Sequence, residues 1–312
     1  MFFQSSTNHV NLPAVQTLKP FDTVPVVSHT INMEKLKSLL LGFITCCNIC
    51  TGYAQEVKKQ SYNLFKPVPA DNMRDMATDR PDVTESPFSV DAGHFQYESD
   101  LFRYKNERDQ QRSKQTWLVN QANLKLGIFA TTDVQLVIQS YGKQRERDLP
   151  GGTQKSADGI GDLTLRIKQN LIGSDHGNFA LAVLPYVKFP TSKFDAEGRY
   201  EYGLILPMQF ELPGEWKLGF QVETDRLKDD DVQSMHTELL QSVTLSHEII
   251  KGFDGIAETF YTYDFKQHHW ANFVNAALQI AVLKDFKLDA GLNYGIQSDA
   301  EKNYFIGTSF RF

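Results

Sequence analysis

The sequence predicts an all-β fold: a closed antiparallel transmembrane β-barrel of about 12 strands, with an extended N-terminal periplasmic segment. Three observations carry that expectation. Segments of about nine to eleven residues alternate in polarity with a period of two through the C-terminal two thirds of the chain. The connections between them alternate between long, polar stretches and short turns. A segment with the layout of a secretory signal precedes them all.

Taken in order, residues 1–32 read as an upstream extension, because a signal normally begins its chain and Met33 is the expected initiator. From Met33 the chain reads MEKLKSLLLGFITCCNICTGYAQE. Lys35 and Lys37 form a positive n-region, Leu39 to Cys50 an apolar core of about a dozen residues, and Gly52-Tyr53-Ala54 a small-residue cleavage site. Residues 33–54 are therefore the expected signal peptide, cleaved near Ala54. Cys46, Cys47 and Cys50 all fall inside it, so the exported chain has no cysteine. CCNIC lacks histidines at metal-binding spacing, and no metal or cofactor is expected.

Residues 55–93 contain Pro67, Pro69, Pro81 and Pro87 and no sustained periodicity, which predicts an extended or irregular segment. Residues 94–312 form the expected barrel. In FKLDAGLNYGIQ, Phe286, Leu288, Ala290, Leu292, Tyr294 and Ile296 share one face while Lys287, Asp289, Gly291, Asn293 and Gly295 share the other. WKLGFQVETD and DLTLRIKQNL repeat the scheme. Strand starts are expected near residues 94, 115, 132, 162, 178, 204, 216, 237, 256, 271, 286 and 304.

YKNERDQQRSK, GKQRERDLPGGTQKSADGIG, PTSKFDAEGRYEYG and RLKDDDVQSMH read as long external loops; FATT, PGE, KGFDG and LKDF read as periplasmic turns. Phe95, Tyr97, Trp117, Trp216, Tyr261, Tyr263, Phe265, Trp270, Phe310 and Phe312 fall near strand ends, where aromatic girdles belong. The final YFIGTSFRF is period-2 to its last residue, Phe305 excepted. It is expected to pair with the first strand and close the barrel, with Arg311 facing inward.

Composition narrows the function. The net charge of -6 argues against nucleic acid as a partner. Residues 1–54 hold three lysines and two acids, so the exported chain sits near -7. No stretch has the roughly 18 uncharged apolar residues of a spanning helix. Asp79, Arg80, Asp82 and Glu85 cluster in TDRPDVTESPF and have two readings, a plug or gate inside the lumen or a clamp on the periplasmic side. Glu98, Lys125, Arg166, Lys168, Lys217, Glu223, Glu258, Asp264, Lys287, Asp289 and Arg311 are the candidate lumen-lining charges. They would form either a selective conduit or a salt-bridged, closed interior.

No enzyme is expected. Ser246-His247-Glu248 is the most suggestive triplet, but adjacent strand residues point to opposite faces. GGTQKSADGIG lacks the Gly-Lys-Ser/Thr order of a phosphate cradle.

TDRPDVTESPFSVDAGHFQYESDL, Thr78 to Leu101, resembles the N-terminal signature of an outer-membrane transporter-like family named for the MetA pathway of phenol degradation. GIGDLTLRIKQNLI, Gly159 to Ile172, is similar to the GxGDL strand of the same family. The resemblance covers most of Thr78 to Phe312. It implies a Gram-negative outer-membrane barrel for passive passage of small, apolar or aromatic molecules. The aromatic last strand resembles that of outer-membrane barrels generally, which makes Phe310 and Phe312 the expected assembly signal. The implied location is the cell outer membrane, and the implied partners are its lipid and lipopolysaccharide, the barrel assembly machinery and a small-molecule solute. A structural or adhesion barrel is the competing class, and a lipid-modifying enzyme a more distant one.

Overall fold

The computed structural model describes residues 62–175, 177–193, 198–229, 234–298 and 300–312. The expected signal peptide, its cysteines and the upstream extension lie outside the described residues.

The described chain is built from β1 (Phe95–Arg108), β2 (Arg112–Phe129), β3 (Thr132–Asp148), β4 (Gln154–Gly159), β5 (Leu163–Ile172), β6 (Phe179–Phe189) and β7 (Glu201–Leu212). It continues with β8 (Trp216–Lys228), β9 (Met235–Ile250), β10 (Phe253–Asp264), β11 (His269–Leu283), β12 (Phe286–Gly295) and β13 (Lys302–Arg311). Each strand pairs antiparallel with its neighbours, and β1 pairs with both β2 and β13, so the sheet closes on itself.

Thirteen segments make 12 staves, because β4 and β5 both pair with β3 and are two halves of one strand. Ile160, Gly161 and Asp162 interrupt it, yet the Gly161 N–H still donates to Gln139 O (2.8 Å) and the Gln139 N–H to Asp162 O (3.3 Å). At the seam, Phe312 and Phe95 exchange backbone hydrogen bonds of 3.0 and 2.9 Å. Phe95 packs against Phe312 (ring centroids 5.2 Å) and Tyr97 against Phe310 (4.8 Å).

Two of the long connections differ from expectation. YKNERDQQRSK is mostly paired strand: β1 and β2 run on as a hairpin joined by residues 109–111, and β3 and β4 likewise by residues 149–153. A strand needs only about 9–11 residues to cross a bilayer, whereas β2 has 18 and β3 has 17. The excess projects beyond the apolar band as polar ladder, because antiparallel pairing requires backbone partners rather than apolar side chains.

Side chains are sorted inside out. Lys125, Lys168, Gln96, Gln135, Gln221 and Glu98 are among the largest fully buried side chains, while Ile167, Leu204, Leu278, Ile280 and Ile306 are all exposed. Water would penalise that pattern and hydrocarbon rewards it. Aromatics gather at both ends of the band: Tyr261, Tyr263, Phe265 and Trp270 cluster at one, Phe179 and Phe210 at the other near Trp216.

One irregularity flips the faces of the first strands. Asn120 has φ 55°, and β1 shifts register against β13 between Asp100 and Phe102. Below this line Gln96, Glu98 and Asp100 point inward; above it Arg103 and Lys105 do. Tyr97 Oη and Ser99 Oγ donate to Asn120 Oδ1 (2.5 and 2.8 Å), and Asn120 Nδ2 donates to Ser140 Oγ (3.2 Å), which holds the flip in place. Phe305 breaks the alternation of the last strand because it too faces inward, beneath the guanidinium of Arg103 (4.6 Å from the ring centroid).

Candidate functional site

Residues 78–91, proline-rich and without periodicity, run through the barrel interior rather than along any strand. Buried backbone N–H groups need partners, and this segment has no ladder to supply them. The wall supplies them instead. Glu98 Oε2 accepts from the Asp79 and Arg80 N–H groups at 3.0 and 3.2 Å. Glu258 accepts from the Val83 and Thr84 N–H groups (2.9 and 2.7 Å) and from Thr84 Oγ1 (2.7 Å). Gln221 Oε1 accepts from the Glu85 N–H (2.7 Å) and Asp133 from the Val90 N–H (2.9 Å). Pro81 and Pro87, which have no N–H to satisfy, are buried.

Two ionic clusters reinforce the docking. Asp79 lies 2.5 Å from both Lys125 Nζ and Lys168 Nζ and 3.9 Å from Arg166. Lys125 is shared with Glu98, and Arg166 pairs with Glu85 at 2.6 Å. The first cluster thus holds three cations and three carboxylates, balanced in a region of almost no solvent exposure. Its ammonium and guanidinium groups overcome the cost of burial and hold the Asp79 carboxyl well below the usual carboxylate range.

In the second cluster Arg80 reaches the wall on either side of β13, at Asp100 on β1 and at Asp289 on β12, the latter through two contacts of 2.5 and 3.2 Å. The Arg80 guanidinium also lies 5.6 Å from the Phe305 ring centroid. Gly307 makes room for it: a Cβ there would stand 2.0 Å from Arg80 Nη2.

Asp82 and Glu85 carry a different electrostatic signature. Burial, with the Glu258 carboxylate close by, pushes the Asp82 carboxyl well above its ordinary value. Burial outweighs the Arg166 partner and raises Glu85 to about 7. Of the four clustered residues, Asp79, Arg80 and Glu85 are tied into ion pairs, and Arg80, Asp82 and Glu85 border a cavity.

That cavity, about 610 Å³, lies between the segment and the wall at the end of the short turns. Arg74, Lys217, Asp254 and Lys287 share its lining with residues 173–175 of the β5–β6 turn. At the same end Arg311 pairs with Asp91 (3.0 Å) and Asp285 (2.6 Å), and Arg74 with Asp91 (2.7 Å).

The remaining expected lumen charges divide. Glu98, Lys125, Arg166, Lys168, Glu258, Asp289 and Arg311 all contact the internal segment directly. Lys287 hydrogen-bonds Gln279 (3.1 Å) and Glu223 accepts from Gln221 (2.7 Å). Lys217 stands exposed at the cavity. Asp264 lies at the opposite rim, where it accepts the Lys266 and Gln267 N–H groups and caps the turn before β11. Asp100, Asp133 and Gln221 also touch the segment and are missing from the expected lumen set. Their shared parity with Glu98, Gln135 and Glu223 was the available signal.

His247 stacks on Trp216 (ring centroids 4.4 Å), while Ser246 lines the cavity on the other face of β9. The two side chains are separated by the sheet and share no proton path.

Comparison with known proteins agrees with this architecture. The barrel resembles an outer membrane channel from Pseudomonas putida F1 with a TM-score of 0.53 at 9% identity, over 76% of this chain and 100% of that one. NanC porin gives 0.45 at 12% identity over 69% and 98%, and KdgM porin 0.40 at 8% identity over 68% and 98%. No curated protein matches the sequence. The match that covers both the internal segment and the barrel is to a family: over residues 78–312 the chain belongs to the family described as "Putative MetA-pathway of phenol degradation".

Proposed function

We propose that this chain is an outer-membrane channel for passive passage of small molecules, held closed by residues 78–91. The carrying observation is the docking of that segment: an irregular strip of backbone lies inside a closed barrel and is held by wall side chains. A purely structural barrel could fill its interior from its own strands, as small barrels do. Here Lys125, Lys168, Glu98, Glu258 and Asp289 are instead committed to a separate segment. The short-turn end faces the periplasm and the projecting hairpins face outward, as in bacterial barrels. Delivery by a signal peptide spanning residues 33–54, with cleavage near Ala54, belongs to this reading.

Passage requires the segment to shift toward the cavity of about 610 Å³. The wall then uncovered is mostly amide and charged, with Phe260 and Phe273 stacked at 4.5 Å beside it. Such a wall suits small solutes with both polar groups and a ring. No step of bond making or breaking is assigned to the chain.

Planar-bilayer recording of the purified full chain tests the proposal. Brief, infrequent openings are expected from the parent protein and long ones from Arg80→Ala. Absence of conductance from both would refute the channel reading and leave the barrel a structural or adhesive one.

A further inference from the structure

The projecting hairpins carry a second feature that passage does not use. Above the face flip at Asn120, side chains of β1 to β4 sort by charge. In register on the face toward the barrel axis stand Glu107, Lys114, Glu146 and Lys155, a ladder of alternating sign. On the outward face the rows are Tyr104, Trp117, Lys143 and Asp158; then Asn106, Gln115, Arg145 and Ser156; then Arg108, Ser113, Arg147 and Gln154. Arg108, Lys143, Arg145 and Arg147 thus share a face with one carboxylate, Asp158, which already accepts from Tyr141 Oη at 3.1 Å. Among the described residues none of the four cations is paired to a carboxylate. The chain as a whole carries -6, so this concentration of positive charge runs against its average.

Position supplies the second argument. Tyr104 and Trp117 pack ring to ring (5.7 Å), at the upper edge of the apolar band where aromatics mark the water interface. The Arg145 guanidinium lies 5.6 Å from the Trp117 ring centroid, so it leans toward that edge. At about 3.3 Å per residue and a tilt near 40°, Lys143 and Arg145 rise about 5 and about 10 Å above Tyr141. That is the depth of a lipid headgroup layer. The face points away from the barrel axis, toward neighbouring lipid and not toward the mouth.

We infer that the outward face of β1 to β4 binds a phosphorylated lipid headgroup of the outer leaflet, with Lys143, Arg145, Arg147 and Arg108 receiving its phosphates. Guanidinium groups meet phosphate through paired N–H donors, and Trp117 holds Arg145 in a preformed position. The inference rests on the outer-membrane reading. It adds a lipid chemistry that the channel itself does not require.

The test is native mass spectrometry of the full chain in neutral detergent, titrated with bis-phosphorylated lipid A and, separately, with dephosphorylated lipid A. The parent chain should retain one bis-phosphorylated molecule at activation energies that strip the dephosphorylated one. The triple variant Lys143→Gln/Arg145→Gln/Arg147→Gln should weaken that retention at least tenfold. Arg145→Lys, which keeps charge but loses the fork, should fall between. Equal retention by parent and triple variant, or of both lipids by the parent, overturns the inference. So does equal displacement by inorganic phosphate or dextran sulfate, which would assign the face to a soluble polyanion. Bilayer conductance and heat-modifiable gel mobility of the triple variant separate the outcomes. Retained conductance with lost lipid isolates the headgroup site, whereas a parent chain that fails to insert into neutral bilayers removes both readings.

Discussion

Asp79→Asn probes the core of the proposed closed state. The parent carboxylate contacts two ammonium groups at 2.5 Å, whose side chains are 3% and 0% exposed. Asparagine keeps the shape and one hydrogen-bond acceptor but removes the charge. The cluster of Lys125, Lys168 and Arg166 against Asp79, Glu98 and Glu85 then holds one uncompensated buried cation. Removing one partner from a buried pair costs about 3–5 kcal/mol. Taking the lower end, because the amide still accepts, and about 1.36 kcal/mol per tenfold, the docked-to-undocked ratio falls about a hundredfold. The strand ladder is untouched, so the loss should appear as undocking of residues 78–91 and not as unfolding. Single-channel recording should show a matching rise in open probability, and amide exchange should accelerate at Asp79, Arg80, Val83, Thr84 and Val90. Pairing the change with Lys168→Met restores charge balance and should recover part of the loss. An Asp79→Asn protein with parental conductance and parental exchange in this segment would refute the reasoning.

Three further outcomes follow from the same geometry. Glu85 is raised to about 7 and Asp82 is also raised, so the docked segment holds protons that the undocked one releases above the ordinary carboxylate range. Docking should therefore strengthen as pH falls from about 7 to 5. Glu85 faces Arg166 and Lys168 on β5, Glu223 on β8 and Asp79 on its own segment, and Glu85→Gln should flatten much of that dependence in bilayer recordings. Gly307→Ala places a methyl 2.0 Å from Arg80 Nη2 and should displace Arg80 from Asp289, reproducing the long openings of Arg80→Ala in the same assay. Phe312→Asp removes the ring packed on Phe95 at the seam and should lower assembled barrel several-fold in outer-membrane fractions, with the conductance of assembled molecules unchanged.

The strands were legible because each residue of a barrel strand sees one of two solvents, and alternation records which. Starts expected at 132, 216 and 286 coincide with β3, β8 and β12, and the inward parity of Glu98, Lys125, Lys168, Asp289 and Arg311 could be read from their neighbours alone. Polarity misled where the apolar band ends. A projecting hairpin in water has no two-solvent pattern, so the tops of β1 to β4 read as loops. The flip at Asn120 was hidden because it depends on one backbone angle, φ 55°, which asparagine tolerates without advertising it. The partners of the internal segment were hidden for another reason. Arg80 and Asp289 are 209 residues apart, and no local pattern links a residue of an aperiodic strip to a particular stave.

The way that strip is held supports its proposed role as a gate. Strand pairs are joined backbone to backbone, and each ladder is reinforced along its whole length. Residues 79–90 are joined to the wall almost wholly through side chains: Glu98, Glu258, Gln221 and Asp133 accept their N–H groups, while Lys125, Lys168, Asp100 and Asp289 take their charges. Withdrawing the strip breaks none of the strand pairs. The wall carboxylates it leaves behind point into a lumen that can fill with water, so their cost is that of exposure and not of burial. Barrel and segment therefore have separable stabilities, with the lower one set by a few ion pairs. A change of one buried charge can shift the segment by orders of magnitude while leaving the barrel assembled.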